Sequence, residues 1–370
     1  MSTADYLAWA RQMDIWLHGH PDCDNLFSSA VYEPADMLLD DLRSAYPDNI
    51  MERLADPAAW GHPRLREAIA RAYGIEDQGR LLLTSGATMA FFLVCQALLR
   101  AGDHAIVESP SYQPFVKVLA ALGVEISLVR REGDAYHLSL GALKAQIRPQ
   151  TRLIVLTNPH NPSGMLLEDD LLQEVGDLAA QHNGHVVVDE VYGDLVPGRR
   201  LPAALLHSAI LTVNSLSKSY GLGALRCGWI VAVPEAMDRI RPLHIIFDNS
   251  SSRITQVIAS VVLDNLPRYR QWAMQVVAAN RPLVEAFAQA LRAQGAICGD
   301  VPPHGCIYFP RVNGVEDIGS LVTEMAEQRG VLVVPGHFFG AADHIRIGFG
   351  GRPEAVQRGL RRLADALARL

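Results

Sequence analysis

Short apolar runs alternate with longer stretches of helical periodicity over the first two thirds of the chain. Residues 153–157 and 186–190 begin as continuous apolar runs, which is typical of central parallel strands covered on both faces. Further strands are predicted at residues 80–84, 105–108, 124–129, 210–213 and 229–233. Helices are predicted at residues 63–74, 89–99 and 115–122. The pattern predicts an α/β domain whose mixed, mostly parallel sheet is covered by helices.

The two ends of the chain follow different patterns. Tyr6, Trp9, Met13 and Trp16 are spaced as on one face of a short helix within an N-terminal arm. After a helical stretch at 253–291, a smaller α+β region is predicted, with strands at 306–309, 331–334 and 344–350 and helices at 318–329 and 353–370. The predicted organisation is an arm (1–35), a large domain (36–250) and a linking helix with a small C-terminal domain (251–370).

Composition narrows the class of protein. A chain of 370 residues with 49% apolar and 20% charged residues is ordinary for a globular protein of two domains. The formal net charge of -7 argues against nucleic-acid and membrane partners. The five cysteines lack the spacing of a zinc site, which predicts a reduced, cytoplasmic protein without a metal. Asp5 and Arg11 interrupt the first residues, which are predicted to be neither a signal peptide nor a membrane span.

Polar side chains collect where three predicted strands end. One strand leads into Thr157 and the run Asn-Pro-His-Asn-Pro-Ser-Gly at 158–164, another into Asp189 and Tyr192, and a third into Ser215 and Lys218. Ligands of open α/β sheets bind at the carboxyl ends of the strands. Packing alone is a poor explanation for three such strand ends, so a functional site is predicted at this edge.

Lys218 is the centre of the predicted site. A lysine near glycines is usually a solvated loop residue, but this one has Ser215 and Ser217 before it and little other charge around it. An ammonium among apolar residues has a lowered pKa, which makes the free amine available as a nucleophile. Arg226, eight residues on, is expected to be buried. An amine beside an anion site suits a phosphorylated aldehyde held as a Schiff base.

Two further places predict anion binding. Residues 85–88 form a small-residue turn between a predicted strand and a helix, a geometry that offers backbone N–H groups to a phosphate. Such turns also occur where nothing binds. Arg346 lies inside an apolar strand, where a guanidinium needs an anionic partner.

Four motifs together resemble the class I/II aminotransferases, pyridoxal-phosphate enzymes of fold type I, the aspartate-aminotransferase fold. They are NPxNPxG at 158–164, DxxY at 189–192, SxSK at 215–218 with arginine eight residues later, and RIxF at 346–349. The resemblance covers about residues 60–350. It implies a homodimer that uses pyridoxal 5′-phosphate to move an amino group between an L-amino acid and a 2-oxo acid.

The resemblance also implies roles for individual residues. Lys218 would form the internal aldimine and carry the proton between substrate and cofactor, and Asp189 would face the pyridine nitrogen. Tyr192 and Asn161 would donate to the 3-oxygen of the cofactor, and Tyr112 would stack on its ring. Asn161 also fits a turn between two prolines, and Asp189 a strand-end cap.

The implied phosphate and substrate contacts complete the set. The phosphate would be held by the backbone N–H groups of Gly86, Ala87 and Thr88, the hydroxyls of Ser215 and Ser217, and the Arg226 guanidinium. Arg346, with Asn161, would bind the α-carboxylate of the substrate, which restricts substrates to amino acids and 2-oxo acids.

One departure from the family concerns Trp60. The family has a tyrosine before the glycine at this position, which reaches the phosphate of the partner subunit; here Trp60 either replaces that donor or lines the substrate pocket. No second arginine for a side-chain carboxylate is evident, so a neutral, aromatic or polar substrate is favoured over a dicarboxylate. Candidate residues for the substrate side chain are Tyr32, His62, Phe339 and the segment 249–251 of a partner subunit.

The same motifs leave the outcome of the reaction open. The first hypothesis is an aminotransferase. The alternative is other pyridoxal-phosphate chemistry on an amino acid, such as β-elimination, cyclisation or oxidation in secondary metabolism. A non-catalytic sensor domain is disfavoured because every cofactor position is present.

Overall fold

A seven-stranded sheet lies at the centre of the computed structural model, which describes residues 5–46, 60–198, 201–249 and 252–368. Over all the described residues, the strands are β1 (Asp24–Asn25), β2 (Leu81–Thr84), β3 (His104–Ser109), β4 (Glu125–Arg130), β5 (Thr151–Thr157), β6 (His185–Asp189), β7 (Ile210–Ser215), β8 (Gly228–Val231), β9 (Ile297–Cys298), β10 (Ile307–Tyr308), β11 (Arg311–Val312), β12 (Val331–Leu332), β13 (Val334–Pro335) and β14 (Ile345–Gly348). The central sheet has the order β2-β8-β7-β6-β5-β3-β4. Strands β7 to β4 of that order are parallel, and β8 is antiparallel to both of its neighbours.

Helices cover both faces of this sheet. Over the described residues the helices are α1 (Tyr6–Gly19), α2 (Ala35–Ala45), α3 (Pro63–Tyr73), α4 (Ala87–Leu98), α5 (Gln113–Ala121), α6 (Leu140–Ala145), α7 (Asp169–Gln181), α8 (Pro234–Phe247), α9 (Arg253–Asp264), α10 (Leu266–Ala293), α11 (Ile318–Arg329) and α12 (Pro353–Leu367). Along β5, Leu153 and Val155 pack with α4, α5 and α8, whereas Ile154 and Leu156 pack with α6 and α7. Both faces of β5 are therefore apolar and buried, and the predicted mixed, mostly parallel α/β fold is confirmed.

The C-terminal region packs around α10, a helix of 28 residues. Beside it, β10, β14 and β13 form an antiparallel three-stranded sheet, and α12 packs on both α10 and α11. Strand β1 of the N-terminal segment pairs in parallel with β12, with Asp24 opposite Val331. The N-terminal segment is thus hydrogen-bonded to the C-terminal region, while the proposed domain boundaries stay a prediction. None of the described helices is long and apolar enough to cross a membrane.

Residues 26–32 connect the two parts of the molecule at the point where the site lies. The Val31 amide donates to the carbonyl of Lys218 at 3.0 Å, and the Gly348 amide donates to the carbonyl of Leu26 at 2.7 Å. The segment therefore passes between the loop after β7 and strand β14. This position brings residues of the N-terminal segment between the predicted amine and the predicted carboxylate-binding arginine.

Candidate active site

Lys218 follows β7, with its amine directed at the N-terminal segment. Its Nζ donates a hydrogen bond to Ser29 Oγ at 3.2 Å. Burial lowers the pKa of Lys218 below its ordinary value, and the nearby Tyr6 phenol opposes that shift. The chain has only three lysines, and the other two, Lys117 and Lys144, are exposed. Lys218 is therefore the one lysine whose surroundings favour a free amine.

Asp189 ends β6 beside the strand that leads to Lys218. The carboxyl is 8% exposed and accepts a hydrogen bond from the Val191 amide at 3.1 Å. Burial raises its pKa to about 7, although the Val191 hydrogen bond and the charge of Lys218 act in the opposite direction. Among the described residues, no basic side chain lies within ion-pair distance of it. A cation placed beside Asp189 would therefore stabilise its ionised form.

Three further predicted site residues are Tyr192, Tyr112 and Asn161. The Tyr192 hydroxyl is buried and has no hydrogen-bond partner among the described residues; burial raises its pKa, and the nearby Ser29 acts in the opposite direction. The ring of Tyr112 meets that of Tyr6 edge-on, with centroids 5.7 Å apart. Asn161 is 6% exposed and follows β5. Tyr112, Asn161 and Tyr192 follow three different strands, β3, β5 and β6, and a strand end was predicted for Asn161 and Tyr192.

Arg346 lies on β14 and is 1% exposed. Its guanidinium donates to Asn161 Oδ1 at 3.2 Å, to the Tyr6 hydroxyl at 3.1 Å and to the Phe27 carbonyl at 3.3 Å. It also lies 4.9 Å from the ring centroid of Phe339. Within the described ranges, Arg346 forms no ion pair, and its Nε has no hydrogen-bond partner. A buried cation without a counter-charge is a receptor for an anion from outside the chain.

The predicted phosphate turn connects β2 to α4. Gly86 has φ +93°, and a Cβ atom at this position would lie 2.5 Å from Arg226 Nη2. The same Nη2 donates to the Ser85 carbonyl at 3.0 Å, and the Asp248 carboxylate accepts from the amide and hydroxyl of Ser85 at 2.7 and 2.5 Å. Glycine is favoured here because residues with a side chain rarely adopt a φ of +93°. Ala87 and Thr88 are in the first turn of α4, where N–H groups are free to bind an anion. The Gly86 amide, also predicted as a phosphate donor, instead donates to the Thr84 carbonyl at 2.8 Å.

The serines and the arginine after β7 border the same turn. Ser215 is buried, and its hydroxyl accepts from the Ser217 amide at 3.3 Å. Arg226 has left-handed backbone geometry, with φ 47°, and its side chain is exposed. The expectation that Arg226 is buried is therefore wrong, because the turn directs its guanidinium over Gly86 at the protein surface.

Several residues of this site were not predicted from the sequence. Tyr6, Phe27 and Ser29 come from the N-terminal segment, and the thiol of buried Cys306 donates to the Ser29 carbonyl at 3.7 Å. In the sequence, a trace of this arrangement is Gly348, where a Cβ atom would collide with the Ser28 carbonyl. The glycine does not reveal which segment approaches it, because that contact forms only on folding.

The residues predicted to contact the substrate side chain have different surroundings in the structure. Phe339 packs against the Arg346 guanidinium, whereas Tyr32 packs edge-on against Trp272, with centroids 5.0 Å apart. The buried His62 donates its backbone amide to Gln256 at 2.7 Å. Ser250 and Ser251 lie outside the described residues. Phe339 is therefore the candidate that the structure brings to Arg346.

Trp60 is half-buried, with the guanidinium of Arg241 5.7 Å from its ring centroid. The next residue, Gly61, has φ +99°, and a Cβ atom there would collide with Leu83. The backbone at this position is therefore constrained by β2. The two roles considered for the indole both depend on a second subunit or a bound substrate, and both stay predictions.

An amine of lowered pKa and a helix N-terminus that can receive an anion together suit an enzyme with a phosphorylated aldehyde cofactor. The chain belongs to one such family, since the model of the family Aminotransferase class I and II matches residues 28–363. The predicted family, the enzyme class and the cofactor, pyridoxal 5′-phosphate, are confirmed.

Similar proteins cover most of the chain. Capreomycidine synthase of Streptomyces vinaceus is 32% identical over 325 residues, which cover 86% of this chain and 82% of that protein. Aspartate/prephenate aminotransferase of Thermus thermophilus is 28% identical over 333 residues, covering 86% and 84%. The solved structure of Thermus thermophilus aspartate aminotransferase with maleate has the same fold, with a TM-score of 0.87, 22% identity and coverage of 99% and 97%.

The residues present fit pyridoxal 5′-phosphate. The Arg226 guanidinium beside the turn at Gly86 and the N-terminus of α4 both offer donors to an anion, and the Tyr192 hydroxyl, which has no hydrogen-bond partner among the described residues, offers a donor to an oxygen of the ring. Asp189, buried without a basic partner among the described residues, suits a protonated ring nitrogen. The phosphate, the ring oxygen and the ring nitrogen of the cofactor would each find a chemically matching group.

Proposed function

We propose that the protein transfers an amino group between an L-amino acid and a 2-oxo acid. The observation that carries this proposal is the buried Arg346 guanidinium, which forms no ion pair within the described chain and is linked through Asn161 to the strand ends near Lys218. Both substrates of an aminotransferase carry an α-carboxylate. Arg346 would hold that carboxylate while the α-amino group faces Lys218.

The proposed catalytic residues are Lys218, Asp189 and Tyr192. Bound pyridoxal phosphate supplies a carbonyl that captures amines and a ring that accepts electrons from the substrate Cα. The Lys218 amine would hold the cofactor and later take and return a proton at its Nζ. Asp189 would keep the ring nitrogen protonated, and Tyr192 with Asn161 would hydrogen-bond the 3-oxygen. Tyr112 would pack against the ring.

The proposed phosphate contacts lie on two loops. Supporting groups are the free N–H groups at the start of α4, the hydroxyls next to Lys218 and the guanidinium over the glycine turn. The residues are Ala87, Thr88, Ser215, Ser217 and Arg226, with Gly86 forming the turn that precedes them.

The substrate side chain would enter a mainly aromatic environment. The ring of Tyr6 has ring centroids of Tyr112, Phe338 and Phe339 within 5.8 Å, and the first two meet it edge-on. No second arginine contacts Arg346 among the described residues. These surroundings support a neutral, aromatic or polar amino acid over a dicarboxylic one.

A cytoplasmic homodimer is also part of the proposal. Ile245, Ile246 and Phe247 are exposed at the end of α8, directly before Asp248, which holds the turn at Ser85. An exposed apolar patch next to a cofactor site supports its burial by a second subunit. The five cysteines are all free, which supports a reducing compartment.

A second candidate is favoured by the relative named capreomycidine synthase, since that name describes a synthase and not a transaminase. Under this alternative the same residues would serve elimination, cyclisation or oxidation of an amino acid. A panel of single amino acids with the cofactor-loaded protein separates the candidates. Release of the matching 2-oxo acid, sustained by an added 2-oxo acid acceptor, supports transamination. Release of ammonia or of a cyclised product supports the alternative.

Lys218→Ala is predicted to abolish both the yellow colour of the cofactor-loaded protein and its turnover, because the other two lysines are exposed on α5 and α6. Borohydride treatment of the parent followed by peptide mapping should place the cofactor on Lys218. Lys117→Ala is the matched control and should change neither property. Colour and turnover retained by Lys218→Ala would refute the proposed role.

A further inference from the structure

The Lys218 amine meets a hydroxyl whose position is set by the backbone. Residues 26–32 are held between two glycines, since a Cβ atom at Gly221 would collide with the Val31 carbonyl and one at Gly348 would collide with the Ser28 carbonyl. The Val31 amide also donates to the Lys218 carbonyl at 3.0 Å. The backbone around residue 29 is therefore fixed relative to both Lys218 and β14.

The Ser29 side chain faces into the site. The residue is 4% exposed, and its hydroxyl accepts from Lys218 Nζ at 3.2 Å. This is the only hydrogen bond of the amine to the described part of the chain, and no carboxylate there forms an ion pair with it. The adjacent Ser28 is exposed. One hydroxyl thus determines where the amine rests.

We propose that Ser29 is a positioning residue whose hydroxyl holds the Lys218 amine in one place whenever that amine is not bonded to the cofactor. The proposal rests on the proposed function, in which Lys218 must leave the cofactor and then move a proton. A lysine side chain has several freely rotating bonds, and a fixed acceptor removes much of that freedom. The hydroxyl also stabilises the ammonium more than the neutral amine, because a charge-assisted hydrogen bond is the stronger one.

The test uses the full chain loaded with pyridoxamine 5′-phosphate, which lacks the aldehyde and cannot bond to Lys218. Carbamylation by cyanate is followed across pH by peptide mass spectrometry, with the exposed Lys117 and Lys144 as internal references. Ser29→Ala is expected to shift the labelling pKa of Lys218 downward by about one unit, and so to raise labelling up to about tenfold below that pKa. Ser28→Ala should match the parent.

The substitution removes one acceptor and no titratable group. The groups that act on the Lys218 charge are Tyr6, Arg346, Cys306, Asp189 and Asp14. Because all of these remain, a shift in the labelling profile reports the lost hydroxyl. Ser29→Thr keeps the hydroxyl and should keep the parent profile, while Ser29→Gly also lacks the hydroxyl and serves if the alanine variant does not fold.

Kinetics give a second readout. Ser29→Ala is expected to lower kcat about tenfold with KM within about twofold, and to raise the isotope effect of an amino acid deuterated at Cα, because proton movement becomes slower. A labelling profile of Ser29→Ala equal to those of the parent and Ser28→Ala would overturn the proposal. If borohydride does not trap the aldehyde cofactor on Lys218 in the parent, the proposed function itself fails.

Discussion

Two buried arginines near the carboxyl edge of the sheet have opposite surroundings. Arg131 is paired with Glu108 at 2.6 Å, with the two side chains 1% and 2% exposed. Arg346 is equally buried but has only neutral hydrogen-bond partners among the described residues. The Arg131 charge is compensated within the chain by Glu108. The Arg346 charge has no such partner among the described residues, which suits binding of an external anion.

The carboxyl groups divide in the same way. Glu108 accepts from Arg131 and from the Thr157 amide, whereas Asp189 accepts only the Val191 amide and has no basic partner within ion-pair distance in the described ranges. The unpaired cation and the unpaired acid are the two residues proposed for the substrate carboxylate and the cofactor nitrogen. The paired residues would support structure, and the unpaired ones would bind ligands.

Breaking the internal pair should give the largest effect on stability. Glu108→Gln keeps the size of the side chain but leaves the Arg131 charge buried and uncompensated, and it is expected to lower the free energy of unfolding by about 3–5 kcal/mol. Urea unfolding of the cofactor-free protein measures this loss. Glu125→Gln, which breaks the exposed pair with Arg148, should cost no more than about 1 kcal/mol.

A double variant sharpens this test. Glu108→Leu with Arg131→Met removes both charges and should be much more stable than Glu108→Gln, because no unpaired charge remains. If the single and double variants were equally unstable, shape and not charge would explain the effect, and the comparison of the two arginines would lose its basis.

Removing the unpaired guanidinium should affect ligand binding more than stability. Arg346→Met is expected to raise KM for the amino acid about 100-fold while the cofactor stays bound, because a buried charged contact to the α-carboxylate is lost. Steady-state kinetics and the absorbance of bound cofactor measure the two properties separately. The exposed Arg100→Met should change neither. Simultaneous loss of the cofactor would contradict the division between the two arginines.

The positions of the residues proposed to bind ligands were largely predictable because each lies on or just after a recognisable strand. Asp189 comes directly after an apolar run, and Lys218 follows another through a short, mostly polar segment; the parallel order of β5, β6 and β7 brings such strand ends to one edge of the sheet. The apolar neighbours of Arg346 identified it as a cation in need of an anion. In each case a polar residue interrupts a local pattern, and that interruption is the signal.

The supporting contacts were not predictable because they join distant parts of the chain. The Tyr6 hydroxyl meets an arginine 340 positions away, and Ser29 meets Lys218 across 189 positions. Helical spacing marked Tyr6 as facing a core without indicating which one. The pairing of Glu108 with Arg131 likewise depends on how β3 and β4 lie side by side.

The unpaired acid can be tested through pH. The pKa of Asp189 is raised by burial to about 7 in the folded protein, above its ordinary value of 3.8. The folded state therefore binds more protons between these pH values, and this group contributes stability at low pH that is lost as pH rises towards 7. The free energy of unfolding of the cofactor-free parent should fall by up to about 1.4 kcal/mol per pH unit from this source, and Asp189→Asn should lack that slope.

Asp134→Asn, at an exposed position, should behave like the parent. An equal pH dependence in the parent and Asp189→Asn would show that Asp189 is ionised throughout.

The smallest expected effect belongs to a third arginine, the exposed Arg226 over Gly86. Its proposed contact with the cofactor phosphate would lie at the protein surface, where water and salt weaken charge interactions. Arg226→Gln is expected to weaken cofactor binding about threefold to tenfold at low ionic strength, and less as salt is added.

The effect of Arg346→Met on substrate binding should change little with salt, because that guanidinium is shielded from solvent. Cofactor titrations and KM measurements at two ionic strengths give both comparisons. A salt-independent loss in Arg226→Gln would mean that Arg226 is covered in the assembled protein, which would place it with Arg346 among the enclosed anion sites.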